Sequence, residues 1–216
     1  MDASERLIRD AAALGVRLTR EDATRLFLLL DELTLWNRRF NLTAITAPEA
    51  MVTHHLLDSL AVNPELAGEH VADVGTGAGF PGLPLAVVNP RRHFTLIDST
   101  AKKVRFVSHA VQLLGLSNVT PLHARVEKMR VDAPFDTIVA RAFAPLPQLL
   151  EEVAPLCGEQ TRVLAMKGKW PAAELAAIAP AWTVIASREL HIPGLDAARC
   201  VITLGAMRSS REARRT

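Results

Sequence analysis

The sequence predicts an α/β protein, a largely parallel sheet flanked by helices and preceded by a helical N-terminal extension. Three observations predict it. A short apolar strand signal, Val71 to Val74, runs into a turn with glycine at every second position, Gly75-Thr76-Gly77-Ala78-Gly79. A helix signal follows at once, with Pro81 near its first turn and then Leu83, Leu85, Ala86, Val87 and Val88. That unit opens nucleotide-binding α/β folds. From Val71 onward strand and helix signals alternate, as in a sheet covered on both faces. Before about residue 66 the signals are helical. The expected division is a helical extension over 1–66 and a sheet domain over 67–216, in one compact unit; 216 residues suit one domain with a small appendage.

The elements follow in order. Leu7, Ile8, Ala11, Ala12 and Leu14 make a short amphipathic helix that stops at Gly15. Thr19 caps a second helix, with Asp22 three residues on as an approximate capping box. Ala23, Leu26, Phe27, Leu30 and Leu33 line one of its faces. Asn41-Leu42-Thr43 is polar enough to break it. Pro48 and Glu49 open a third helix that runs to about Val62. On it His55, Asp58 and Ser59 share a face at i, i+3 and i+4. The plain expectation there is a local pair, with Asp58 holding a solvent-facing histidine.

Beyond the glycine turn, Phe94 to Ile97 is a strand ending in Asp98, and a helix from about Lys102 stops at Gly115. Strands over Val119–Leu122, Phe135–Val139 and Arg162–Met166 follow, interleaved with helices at Leu146–Leu156 and around Ala172–Ala179. Thr183–Ala186 and Cys200–Leu204 suggest a terminal, hairpin-like pair.

Composition excludes several classes. Apolar residues make up 49% of the chain, so a full core is available. Net charge is only +2. Arg208, Arg211, Arg214 and Arg215 form a basic tail, read as a solvated terminus with phosphate attraction as the functional alternative. Cys157 and Cys200 have no metal-ligand spacing and suit a reducing compartment. No metal site is expected. No apolar run spans a bilayer and no signal segment begins the chain, so a cytoplasmic protein with no membrane partner is expected.

The spacing of the glycines separates ligands. A dinucleotide fingerprint would place its third glycine where Phe80 stands. The pattern here is G-x-G-x-G preceded by Asp73, which looks like motif I of S-adenosylmethionine-dependent methyltransferases. Their cofactor carries a sulfonium cation and no phosphate, so a nearby carboxylate is useful. Asp98 follows Gly75 by roughly twenty positions, the offset of an acid that grips ribose hydroxyls; its competing role is a helix N-cap. Ligands sit beyond the carboxyl ends of parallel strands. Those ends are Gly75, Asp98, Val126-Glu127, Arg141 and Lys167, and the two cations point to an anionic acceptor such as nucleic acid. A surface ion pair with Glu127 or Glu151 is their alternative.

Taken together, Asn41-Leu42-Thr43, His55-x-x-Asp58-Ser59, the run Asp73 to Gly82, Leu96-Ile97-Asp98-Ser99, Lys103-Val104-Arg105-Phe106, Arg141-Ala142-Phe143 and Lys167-Gly168 resemble one family over about Asn41 to Leu204. It is the ribosomal RNA small subunit methyltransferase G family, also called glucose-inhibited division protein B. The resemblance implies a Rossmann-like methyltransferase fold with a helical N-terminal extension. It implies methyl transfer from S-adenosylmethionine to N7 of a guanine in bacterial 16S ribosomal RNA, free or in the small ribosomal subunit; a monomer is expected. The implied cofactor contacts are Gly75, Phe80, Asp98, Val126, Glu127 and Arg141; Gly77 and Gly79 help to shape the pocket and Asp73 lies near the methionine end. Arg141, Lys167 and His55 are the candidate catalytic residues. Asn41, His55, Asp58, Ser59, Lys167 and Arg199 are the candidate acceptor contacts. Two other readings remain open, a small-molecule methyltransferase and a non-catalytic S-adenosylmethionine sensor.

Guanine N7 has a lone pair and no proton to lose, so proximity is the main requirement. The end of the fourth strand reads Ala140-Arg141-Ala142-Phe143, without the Asn/Asp-Pro-Pro-aromatic motif of exocyclic amine methylation. Neither cysteine stands where cytosine carbon-5 chemistry needs a nucleophile.

Overall fold

The computed structural model describes residues 2–206. The arginine tail lies outside the described residues. Helix α1 (Ala3–Ala13) begins in a capping box, with the Asp2 carboxylate accepting from the Glu5 N–H at 2.7 Å and Glu5 returning the contact. Helix α2 (Arg20–Phe40) begins in a second box, Thr19 with Asp22, as its sequence predicts. It ends where Asn41 turns left-handed at φ 47°. The Asn37 side-chain oxygen then accepts from the N–H groups of Leu42 and Thr43, which turns the chain away from the helix.

Helix α3 (Pro48–Met51), a π-helical turn (Val52–Leu57) and α4 (Asp58–Leu60) run on as one rod. The π turn is a departure from the regular helix that the sequence predicts. Such turns cluster at functional sites.

The sheet contains β1 (His70–Val74), β2 (His93–Asp98), β3 (Val119–His123), β4 (Phe135–Arg141), β5 (Cys157–Lys167), β6 (Trp182–Glu189) and β7 (Cys200–Ala206). Their order is β3-β2-β1-β4-β5-β7-β6. The first five are parallel, and β7 enters antiparallel between β5 and β6. The anticipated terminal pair is therefore real, and β7 also completes the central sheet. Helices α5 (Gly82–Val88), α6 (Ala101–Leu113), α7 (Leu146–Val153) and α8 (Ala172–Ala176) make the crossovers.

Alternation along the strands divides the core. Val71 and Leu96 face one side, where Leu7, Leu26, Leu33 and Leu56 of the N-terminal helices pack with Leu83, Phe106 and Val107. Ala72, Val74 and Ile97 face the other, against Leu146, Leu149, Leu150 and Val153. The N-terminal helices thus share one continuous core with a face of the sheet.

Leu26, fully buried in that shared core, tests the continuity. Leu26→Ala should cost about 2–5 kcal/mol and lower one common unfolding transition in calorimetry. Two transitions, of which only one moves, would show that the helices form a separate core.

Candidate functional site

Two clefts open at the carboxyl ends of the parallel strands, around the point between β1 and β4 where strand order reverses. The first has a volume of about 380 Å³, with Gly75, Ile97, Asp98, Val126, Glu127 and Phe143 among its lining residues. Gly75 has φ +67°, and a Cβ there would run into the Phe143 ring. Glycine therefore allows both the turn and the close approach of the ring. Asp98 is buried and knits the turn to the end of β2. Its Oδ2 accepts from the Gly77 N–H at 2.9 Å and its Oδ1 from the Thr100 N–H at 2.8 Å, while Lys103 Nζ lies 3.6 Å away. Asp98 thus serves the start of α6 as well as lining the cleft.

Beneath the turn, Asp73 Oδ2 accepts from the Thr76 hydroxyl at 2.6 Å and from the Gly82 N–H at 2.7 Å. A Cβ at Gly82 would stand 2.7 Å from that oxygen, so the approach requires glycine. Asp73 Oδ1 has no hydrogen-bond partner among the described residues. Burial pushes the Asp73 carboxyl up to about 6, against the hydrogen bonds from Thr76 and Gly82. Asp73 braces the loop from below and is not a wall of the cleft. Phe80 also lies off the cleft. Its ring is buried, stacks on His55 at 4.7 Å between centroids and lies 5.8 Å from the Arg141 guanidinium.

The residues of this cleft fit S-adenosylmethionine. Ile97, Val126 and Phe143 offer apolar surface to a flat ring, Asp98 and Glu127 offer acceptors to hydroxyls, and the acids suit a cationic ligand better than a pyrophosphate. Ser99, Thr100, Lys103 and Phe143 line it too. They stand in recognisable motifs, yet no spacing rule assigns them a ligand role.

The second cleft, about 440 Å³, takes His54, His55 and Asp58 from the helical rod, Arg141 from β4, Lys167 from β5 and Arg199 from the approach to β7. Asp58 does not pair with His55. Its Oδ2 accepts from Arg141 Nη1 at 3.0 Å and its Oδ1 from Arg199 Nε at 3.1 Å. Arg141 Nη1 also donates to the His54 carbonyl at 2.8 Å. His55 is buried rather than solvent-facing, and its Nε2 lies 3.1 Å from the Thr43 hydroxyl. Desolvation, then Arg141 and His54, lower its pKa to about 4.

The expected ion pairs with Glu127 or Glu151 are replaced by others. Arg141 takes Asp58. Lys167 Nζ takes Glu174 at 2.7 Å and the Ala144 carbonyl at 3.0 Å. Glu174 in turn accepts from the Leu146 N–H at 2.6 Å. Two expected acceptor contacts do not reach the cleft. Ser59 is buried and donates to the His55 carbonyl. Asn41 is spent on ending α2.

Ala142 lines both clefts and is one of two non-glycine residues with positive φ, at 49°, among the described residues. Backbone strain of this kind persists only where surrounding structure imposes it.

Comparison with known proteins shows the family and the fold. The family model described as rRNA small subunit methyltransferase G matches residues 22–202. The chain is similar to proteins named ribosomal RNA small subunit methyltransferase G. That of Chromohalobacter salexigens is 47% identical over 199 residues, covering 92% of this chain and 95% of the relative. That of Aeromonas salmonicida is 44% identical over 185 residues, covering 86% and 89%. Among solved structures, the S-adenosylmethionine-dependent methyltransferase of Thiobacillus denitrificans in complex with S-adenosylhomocysteine aligns at a TM-score of 0.53 and 12% identity. It covers 81% of this chain and 98% of its own, a likeness of fold.

The burial of His55 has a signed consequence. Between its ordinary value of 6.5 and about 4, the unfolded chain binds a proton that the folded chain refuses, so stability falls on acidification through that window. Asp73, raised from 3.8 to about 6, acts in the opposite sense and masks it. Replacing His55→Asn removes the first effect alone. The variant should gain about 2 kcal/mol on the wild type between pH 7 and pH 5, read as a change in the melting-temperature gap. A constant gap would mean that His55 titrates normally in the folded chain.

Proposed function

The chain belongs to the rRNA small subunit methyltransferase G family and uses S-adenosylmethionine to methylate 16S rRNA, and we propose that the acceptor atom is N7 of a guanine held in the second cleft. The observation that carries this reading is the meeting of two clefts of unlike chemistry at Ala142. One is acid-lined and suits a cationic cofactor. The other presents Arg141 and Arg199 to an anionic polymer.

When bound, S-adenosylmethionine supplies a methyl group activated by its sulfonium. Held against Asp98, Val126 and Glu127, it would offer that methyl to guanine N7, which would bring its own lone pair and have no proton to lose. The protein's work is alignment. His55 is not suited to take a proton, since burial and then Arg141 lower its pKa to about 4, and Asp58 has an arginine on each oxygen. Glu127, Val126 and Asp98 hold the adenosine end, with Gly75, Gly77 and Gly79 shaping the turn. Asp73 braces that turn. Arg141 keeps its Nε and Nη2 donors unpaired among the described residues, free to orient the acceptor or bind phosphate. Lys167 fixes residues 144–146 of the wall between the clefts and so acts as a positioning residue.

The helical region over 1–66 and the sheet region over 67–216 act as one unit, because the acceptor cleft draws side chains from both. Because the substrate is 16S rRNA, the proposed site of action is the cytoplasm and the proposed working unit is a single chain.

The test uses methyl-labelled S-adenosylmethionine with small ribosomal subunits, or naked 16S rRNA, from a strain lacking this modification. One 7-methylguanosine, located by chemical strand cleavage, is expected. Cofactor binding with no label in any RNA would favour the sensor or small-molecule reading instead. Arg141→Ala should lower kcat/KM about 10²-fold while leaving the cofactor Kd within a few-fold by calorimetry. An unchanged rate would remove Arg141 from the acceptor site.

A further inference from the structure

We propose that the exposed Trp170 side chain and the cleft beside it form a stacking subsite for an unpaired nucleobase next to the methylated guanine. This rests on the RNA-methylating reading above and adds a second point of contact to it.

Trp170 stands three residues beyond the end of β5, in the segment between Lys167 and α8. It is 53% exposed, belongs to neither core cluster, and its indole N–H has no partner among the described residues. The other two tryptophans are packed: Trp36 against Phe40, Phe106 and His109, and Trp182 half-buried at the start of β6. Trp170 faces a cleft of about 650 Å³ that also takes Leu190, His191, Ile192, Pro193 and Arg199. This cleft shares Gly168, Leu190, Arg199 and Cys200 with the acceptor cleft, so the two are continuous. A chain whose guanine enters the second cleft has a route along which its neighbour reaches Trp170.

The chemistry around the ring favours a base. Every base has a π face, and unpaired bases stack on exposed aromatic side chains regardless of sequence. Arg199, His191 and the exposed Lys169 provide donors or positive charge for the backbone. Glu189 and Asp196 line the same cleft. They would repel a bare phosphate but accept hydrogen bonds from base amino groups. Mixed charge around an aromatic plane therefore suits a nucleotide better than an inorganic anion.

The experiment uses the full chain with Trp170→Ala and Trp170→Phe. With no tyrosine and three tryptophans, indole fluorescence reports on Trp170 once Trp170→Phe supplies the background. A short single-stranded RNA should quench wild-type emission, and Trp170→Phe should lose most of that quenching. A fully duplex RNA of equal length should quench far less. In methyl transfer to small subunits, Trp170→Ala should raise KM about tenfold, with kcat and the cofactor Kd within twofold. Trp170→Phe, which keeps a ring, should recover most of the KM. An unchanged KM in Trp170→Ala, with the wild type active, would overturn the subsite and leave the activity standing. RNA quenching of Trp170 in a wild-type protein that methylates no RNA would do the reverse. Equal KM losses in both variants would assign Trp170 a structural role and overturn stacking.

Discussion

One buried carboxylate holds three parts of the chain in register. Taking the Asp58 charge out of water costs several kcal/mol, and only close, hydrogen-bonded partners offset that cost. Both of its oxygens are used, one by Arg141 at the end of β4 and one by Arg199 just before β7. The helical rod, the centre of the sheet and its antiparallel edge pair therefore meet at one residue. Arg141 adds a bond to the His54 carbonyl, and Arg199 a bond to the Ala198 carbonyl. The trio carries a net single positive charge with donors to spare. It is a structural tie and an anion-attracting surface at once.

A second tie fixes the partition between the clefts. Lys167 reaches the Ala144 carbonyl and Glu174, and Glu174 takes the Leu146 N–H at the start of α7. Ala142 lies just upstream of these contacts, with a backbone conformation that an alanine avoids when unconstrained. The strain is held from both sides, by Arg141 bound to the rod and by Ala144 bound to Lys167 and Leu146 bound to Glu174. Phe143 follows and lies over Gly75. The same few residues thus shape both clefts from one wall.

Much of the fold was legible because its signals are local. The glycine turn, the capping box at Thr19, the alternating strands and the terminal pair each rest on residues near one another in sequence. Asp98 was legible for the same reason, as a strand end at a known offset from a glycine turn. The partners of Asp58 were not. At helical spacing the sequence shows His55 beside Asp58, whereas the true partners lie 83 and 141 positions away. The π turn adds to the error, since it alters the angular step on which i, i+3 and i+4 reasoning depends. Ser59 and Phe80 show the same limit. Their motifs imply ligand contacts, whereas the Ser59 hydroxyl donates to the His55 carbonyl and the Phe80 ring stacks on the His55 imidazole.

The burial of His55 bears on the chemistry that the site allows. A histidine beside an acid on one helix suggests proton transfer, yet here the acid is neutralised by arginines and the imidazole is held neutral across ordinary pH. Two groups that could have formed a base instead form a wall, with Phe80 stacked behind it. Such a wall suits an acceptor that brings its own lone pair and surrenders no proton. On that reading, selectivity comes from shape and from where the polymer is gripped. On the proposed reading, rigidity here serves alignment: a misplacement of about 1 Å between acceptor and methyl donor can cost about 10²-fold in rate, and the ties through Asp58 and Lys167 hold the walls of both clefts in place.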